Sequence, residues 1–223
     1  LKSREAIHES VSTIETAGVV RLTKKIIQGT VLFELIGGLL LSIRFIPRVG
    51  VLKGLYFGMF HAISAFCNAG FDLMGNWEQY ASFTGYEGDI LVNSVIIILI
   101  VAGGIGFIVW DDIIRNKWHF KKYLLHTKVV LTTTLILIFG GAALFLIFEN
   151  NNLFATMNVR ERILGALFSS VTARTAGFNT VDTGALTDAS KMLTIVLMFV
   201  GGSPGSTAGG IKTTTIAVII MVT

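Results

Sequence analysis

Apolar residues run in four stretches that are long enough, or nearly so, to cross a bilayer as helices. They are Ile26–Ile46, Ile90–Trp110, Val129–Phe148 and an interrupted Met192–Val222; a helical crossing takes about 20 such residues. Leu55–Phe66 and Ile163–Val171 are also apolar but too short to span, and predict re-entrant or buried half-helices. The order is span, half-helix, span, then span, half-helix, broken span. It predicts an all-α integral membrane protein made of two repeated units.

Two motifs support the repeat. "NAGFD" (Asn68–Asp72) returns as "TAGFN" (Thr175–Asn179), 107 positions on (68 to 175). "AGGI" (Ala102–Ile105) returns at Ala208–Ile211, 106 positions on (102 to 208). Repeats on this scale point to transporters and channels. Two spans plus a half-helix that turns back return the chain to its starting side, so both units run in the same direction.

Composition agrees with a membrane protein. The 223 residues are 52% hydrophobic and 14% charged, where a soluble domain carries roughly a quarter charged residues. The net charge of +4 is spread along the chain, without the basic stripe of a nucleic-acid binder. The lone Cys67 excludes an intrachain disulfide. "HESVS" at His8 lacks the second histidine of a zinc-protease helix. The chain starts in a polar segment and stops inside an apolar run, as a piece of a longer protein does.

Lys2, Arg4, Arg21, Lys24 and Lys25 precede the first span, and Arg115, Lys117, Lys121, Lys122 and Lys128 lie between the units. The positive-inside rule puts both groups in the cytoplasm. Asp72, Glu78, Glu87 and Asp89 fall on the other side, although Arg44, Arg48 and Lys53 fall there too.

The candidate chemistry follows the half-helices. A half-helix ending at mid-membrane presents unpaired carbonyls and a partial negative charge, which favour a cation. The chain must then leave as extended backbone, tolerated at that depth only if buried in protein or lining water. Carbonyls aimed inward can replace an ion's hydration shell. Gly70 and Gly177 allow the angles this needs, and the side-chain oxygens of Asn68 and Thr175 offer extra ligands. The bland reading of each loop is a glycine turn between buried helices; two copies in register favour a filter. The Asn/Thr-Ala-Gly-Phe pattern resembles the Thr-Val-Gly-Tyr core of potassium-channel filters.

With "FHAISAFCNAGFDL", "SVTARTAGFNT" and "GGSPGSTAGGIKTTT" together, nearly the whole chain resembles the Trk, Ktr and HKT superfamily of potassium transporters, most closely the membrane subunit of bacterial Ktr. The resemblance implies a multi-pass protein of the bacterial plasma membrane with a potassium-channel-like fold. Four span–pore helix–span units would surround one pseudo-four-fold pore. Residues 1–25 would be a cytoplasmic segment ending the first unit, 26–112 the second unit, 113–128 a basic cytoplasmic linker and 129–223 the third unit. Backbone at Asn68, Ala69, Gly70 and Phe71, and at Thr175, Ala176, Gly177 and Phe178, would bind potassium. It also implies a homodimer in lipid on a cytoplasmic ring of nucleotide-binding regulatory subunits (KtrA-like), with no nucleic acid. No cofactor is implied in this chain; potassium is the transported ion and sodium a candidate activator. Cys67 departs from the asparagine expected in close relatives.

"GGSPGSTAGGIK" interrupts the last span. Ile211 separates Gly210 from Lys212, which breaks the phosphate-loop spacing. A packing kink remains possible, but the first "AGGI" lacks the "GGSPGST" insert and reads as that kink. The loop itself, Gly201, Gly202, Ser203, Pro204, Gly205, Ser206, Thr207, Ala208, Gly209 and Gly210, is expected to lie across the pore under the filter as a gate. Lys212 either snorkels to headgroups or anchors the loop. Arg174 is expected to be structural, Glu34 to face a partner inside the protein or to take a proton, and His61 to be packed and hydrogen-bonded. Two other classes compete: an intramembrane serine enzyme using Ser203 or Ser206, which lacks a well-placed base, and a secondary transporter of a small solute, which broken helices also suit. The full reading frame tests the four-unit arrangement: one more filter motif is expected on each side of this chain, and two motif-free flanks would overturn it.

Overall fold

The computed structural model describes residues 2–222 apart from 77, 78 and 118, with side chains described outside 2–19, 76 and 220–222. Glu78 and the side chains of Lys2, Arg4 and His8 therefore lie outside the described residues. In chain order the helices are α1 (Lys2–Val49), α2 (Val51–Phe66), α3 (Ile90–Gly104), α4 (Phe107–Asn116), α5 (Leu125–Glu149), α6 (Val159–Thr172), α7 (Asp188–Phe199) and α8 (Thr213–Val222). No named strand occurs among the described residues; one isolated bridge joins Val200 and Ile211.

Among the described residues, two helical stretches are long and apolar enough to cross a membrane, Val20–Val49 and Leu125–Glu149. The expected first span lies inside α1, which runs through residue 25 without a break. The expected second span, Ile90–Trp110, is corrected. It divides into α3 and α4, bent by 99°, so the first "AGGI" marks a break far sharper than a packing kink. Indole Trp110 Nε1 donates to Ala102 O at 3.0 Å across the bend. The fourth stretch divides, as its glycines predict, into α7 and α8 around residues 200–212.

Small residues set the helix packing. Helix α2 folds back antiparallel on α1 with Gly54 against Ile46 and Gly58 against Ser42. A Cβ on Gly58 would lie 2.4 Å from Gly38 O and 2.1 Å from Ser42 Oγ. In the second unit, Gly141 of α5 sits under Ser170 of α6, whose hydroxyl donates to Ile138 O at 2.8 Å. Each half-helix is thus seated on the first span of its own unit.

The units are joined on one side by an aromatic core. Phe45, Phe57, His61, Phe83 and Phe178 are buried there, and Phe83 packs 5.4 Å from Phe178 of the second unit. Phe83 N also donates to Asn179 O at 2.8 Å. At this end Arg44 pairs with Asp89 at 2.9 Å, and Arg48 lies 4.6 Å from the Tyr86 ring centre. At the other end, Lys25 of the basic leading segment meets Asp111 at 2.6 Å, and Arg115 meets the same carboxylate at 2.7 Å.

Gly58→Ala is expected to lower the apparent melting temperature of the full-length protein in detergent, because backbone atoms of α1 must move; overpacking of this kind costs about 1–3 kcal/mol. Gly140→Ala in α5 meets nothing within 4 Å and should leave stability unchanged or raised.

Candidate ion pathway and its glycine-rich plug

The loops after α2 and α6 share one backbone pattern. Asn68 and Gly70 have φ of 51° and 72°; Thr175 and Gly177 have φ of 74° and 92°. The alanines between them lie outside the left-handed region. Each loop therefore alternates in handedness, which turns successive carbonyls towards one side of the chain. Left-handed geometry is inexpensive for glycine and tolerated by asparagine, but strained for β-branched Thr175.

The two loops meet. A Cβ on Gly70 would lie 2.2 Å from Ala176 O and 3.0 Å from Gly177 Cα, so only glycine permits this approach. Matching hydroxyls hold both outgoing backbones. Ser64 Oγ donates to Phe71 O at 2.8 Å, and Thr172 Oγ1 to Phe178 O at 2.6 Å. The holders stand one position apart in register, which hid them from motif comparison. Buried His61 donates from Nδ1 to Phe57 O at 2.6 Å and accepts at Nε2 from Leu73 N at 3.1 Å. Both nitrogens are thereby used, which fixes the neutral tautomer. The Phe178 ring is buried, whereas Phe71 is 70% exposed.

The 201–212 segment packs against these loops and closes on itself. Gly201 N donates to Ile211 O, Gly202 N to Gly209 O, and Ile211 N to Phe199 O, each at 3.1 Å. Lys212 Nζ reaches back to Ala208 O at 2.7 Å, a contact of the anchoring kind. Ser203 Oγ pairs with Thr213 Oγ1 at 3.0 Å, and Ser206 Oγ donates to Ser203 O at 2.6 Å.

Four side chains tie the loops to this segment. Asn68 Nδ2 donates to Thr207 Oγ1 at 2.9 Å, and Thr207 Oγ1 donates to Phe66 O at 2.8 Å. Gly209 N donates to Thr175 Oγ1 at 3.2 Å. Arg174 Nη2 donates to Gly201 O at 3.2 Å. Asn68 bonds the glycine-rich segment through Nδ2, which leaves its side-chain oxygen without a protein partner, and Thr175 Oγ1 accepts one bond from the same segment. Arg174 sits just past the α6 C-terminus, where its charge complements the unpaired carbonyls.

Sequence reading missed the cradle in the earlier of the two repeats. At the α3–α4 break, Gly104 O accepts from Ser203 N at 2.9 Å, Gly103 O from Thr207 N at 3.1 Å, and Gly205 O from Phe107 N at 3.0 Å. A Cβ on Gly103 would lie 1.9 Å from Phe66 O. The recurrence of "AGGI" was the available signal, since both copies mark breaks and the breaks meet. Glu34 lies near Cys67, with Oε1 4.0 Å from Sγ.

A family profile described as "TrkH: Cation transport protein" matches residues 1–222. The chain belongs to this family. It is 42% identical over 98% of its length to the "Potassium/sodium uptake protein NtpJ" of Enterococcus hirae, covering 47% of that protein. It is 40% identical over 99% of its length to the "Ktr system potassium uptake protein B" of Bacillus subtilis, covering 48% of it. The chain thus spans about half the length of the curated relatives it matches. The crystal structure of the potassium transporter TrkH from Vibrio parahaemolyticus shares its fold, with a TM-score of 0.62 at 18% identity over 83% of this chain and 38% of that one. Membership places the chain in a family of cation transport proteins, and its long apolar helices fit a membrane protein.

Gly70→Ala is expected to lower thermal stability more than Gly177→Ala. Both force a side chain into left-handed backbone, but the first also strikes a carbonyl while the second meets only Gly70 Cα at 3.5 Å. Equal losses of melting temperature in the full-length protein would contradict the loop contact.

Proposed function

We propose that the full-length protein takes up potassium through a ring of four carbonyl-lined loops, two of which are Asn68–Phe71 and Thr175–Phe178, and that Gly201–Lys212 gates the pathway beneath them. The observation that carries this reading is the repeated left-handed pattern at Asn68, Gly70, Thr175 and Gly177 in loops that meet directly above the glycine-rich segment. Alternating handedness aims carbonyls at one line, and oxygen ligands of that kind suit a weakly hydrated monovalent cation. The potassium uptake named for the relatives from Enterococcus hirae and Bacillus subtilis points the same way. Potassium is preferred over sodium because both loops keep their glycine; sodium, named beside potassium for the first relative, remains the candidate activator or second cargo.

In this reading α2 and α6 are re-entrant pore helices, 26–112 and 129–223 are successive units, and 113–128 is a cytoplasmic linker following a cytoplasmic start. The exposed Phe71 supports the ring. Phe178 is covered by Phe83 of the preceding unit, so repeat symmetry asks for the same cover on Phe71 from a unit outside this chain. The two basic groups meet at the Lys25–Asp111–Arg115 end, which fits the cytoplasmic face. There a nucleotide-binding regulatory ring would dock on a homodimer.

The gate assignment rests on bonding. Backbone inside a membrane must find partners, and this segment finds them on the α3–α4 break and on both filter loops, so loop movement and filter geometry are linked. Gly177→Asp in the full-length protein is expected to weaken potassium selectivity over sodium; unchanged competition in an uptake assay would sink the filter. Thr207→Val removes the acceptor for Asn68 and the donor to Phe66, and should raise basal flux several-fold. Wild-type flux with a correctly folded variant would remove the gate.

A further inference from the structure

Behind the two filter loops lies a small enclosed cavity between the units. Its walls include Asn68, Thr134, Arg174, Gly104, Gly202 and Ala208. Three of these carry a buried polar atom with no protein partner: Asn68 Oδ1, Thr134 Oγ1 and Arg174 Nε. Asn68 is 9% exposed, Thr134 4% and Arg174 8%. Buried polar groups are ordinarily satisfied, and three orphans around one void are unlike scattered exceptions.

The bonding around the cavity fixes what each orphan needs. The single Thr207 hydroxyl proton goes to Phe66 O, so towards Asn68 this oxygen only accepts. Asn68 must present Nδ2 to it, which assigns the amide orientation and leaves Oδ1 requiring a donor. Arg174 Nε–H requires an acceptor, since the bond to Gly201 O comes from Nη2. Thr134 Oγ1 can take either role.

The geometry points to a site for one water molecule, accepting from Arg174 Nε–H and donating to Asn68 Oδ1 and Thr134 Oγ1. The cavity volume is about 10 Å³, at the lower bound of what holds one water molecule. Three partners is the usual number for a buried water. The charges exclude the alternatives: a cation would face the guanidinium, and an anion would face the Asn68 oxygen. The remaining walls, Ile100, Val101, Ile105 and Val171 among them, offer no side chain to hold anything larger.

This water joins α5 to both filter loops. Through Asn68 and Arg174 it also reaches the middle and the start of the glycine-rich segment, at Thr207 and Gly201. Thr134, a residue of α5 outside both filter loops and the glycine-rich segment, becomes a positioning residue for both. The site itself stands on geometry; only its effect on flux rests on the gate reading.

A high-resolution density map of the full-length protein tests the site. A single peak within hydrogen-bonding reach of Arg174 Nε, Asn68 Oδ1 and Thr134 Oγ1 is expected. No peak there overturns the site, and an anomalous peak after exchange of chloride for bromide overturns water as its occupant. Thr134→Val and Thr134→Ser then test the effect. Valine should shift the gate towards open by about fivefold in basal flux, the factor for a lost hydrogen bond of about 1 kcal/mol, while serine retains wild-type flux. With the peak present, wild-type flux in Thr134→Val overturns the positioning role and leaves the filter assignment standing. If the valine variant fails to fold, the map of the wild-type protein still decides the site.

Discussion

The rest of the structure depends on one constraint: backbone N–H and C=O groups inside a bilayer must be paired within the protein. Among the described residues, the apolar stretches at α3–α4 and α7–α8 are each broken, and neither break is sustainable alone in such a medium. The end of α3 leaves the carbonyls of Gly103 and Gly104 open, and the segment between α7 and α8 leaves the amides of Ser203 and Thr207 open. They pair with each other. An unpaired buried group costs about 1–3 kcal/mol, so the breaks stabilise one another only when the units are docked. The glycines at the junction matter less as flexible points than as absent side chains, as Gly103 against Phe66 O makes plain.

That mutual repair places the glycine-rich segment directly against the carbonyl loops. Asn68 and Thr175 occupy equivalent positions in the repeat and both reach the segment, one by donating and one by accepting. The repeat is therefore preserved in backbone and altered in side chains. Arg174 and Cys67 also hold equivalent positions. Arg174 is buried and bonded to Gly201 O, while Cys67 is exposed beside Glu34. The side-chain differences accompany an insert that only the later unit carries.

Much of this could be read along the chain. The short helices α2 and α6 lie over the apolar runs too short to span, and α7 and α8 part where "GGSPGSTAGG" predicts a break. The mild kink expected inside Ile90–Trp110 is instead a sharp break, for a physical reason. Hydropathy measures residence in an apolar medium and is blind to direction, so a helix bent by 99° keeps the same apolar count. The basic residues on the otherwise acidic side, Arg44 and Arg48, blurred the charge pattern because their partners, Asp89 and Tyr86, come from a distant loop.

The amino-acid sequence alone determined the medium, the repeat, the loops with glycine at the carbonyl positions and the family resemblance, because hydropathy and short motifs are local properties. Only the tertiary structure decided that the first "AGGI" receives the insert beside the second, that Asn68 and Thr175 bond to the glycine-rich segment, and that Asn68, Thr134 and Arg174 line one small cavity. Those facts depend on which unpaired group lies opposite which after docking, and hydrogen-bond complementarity across more than 100 residues (103 to 207) leaves no local trace.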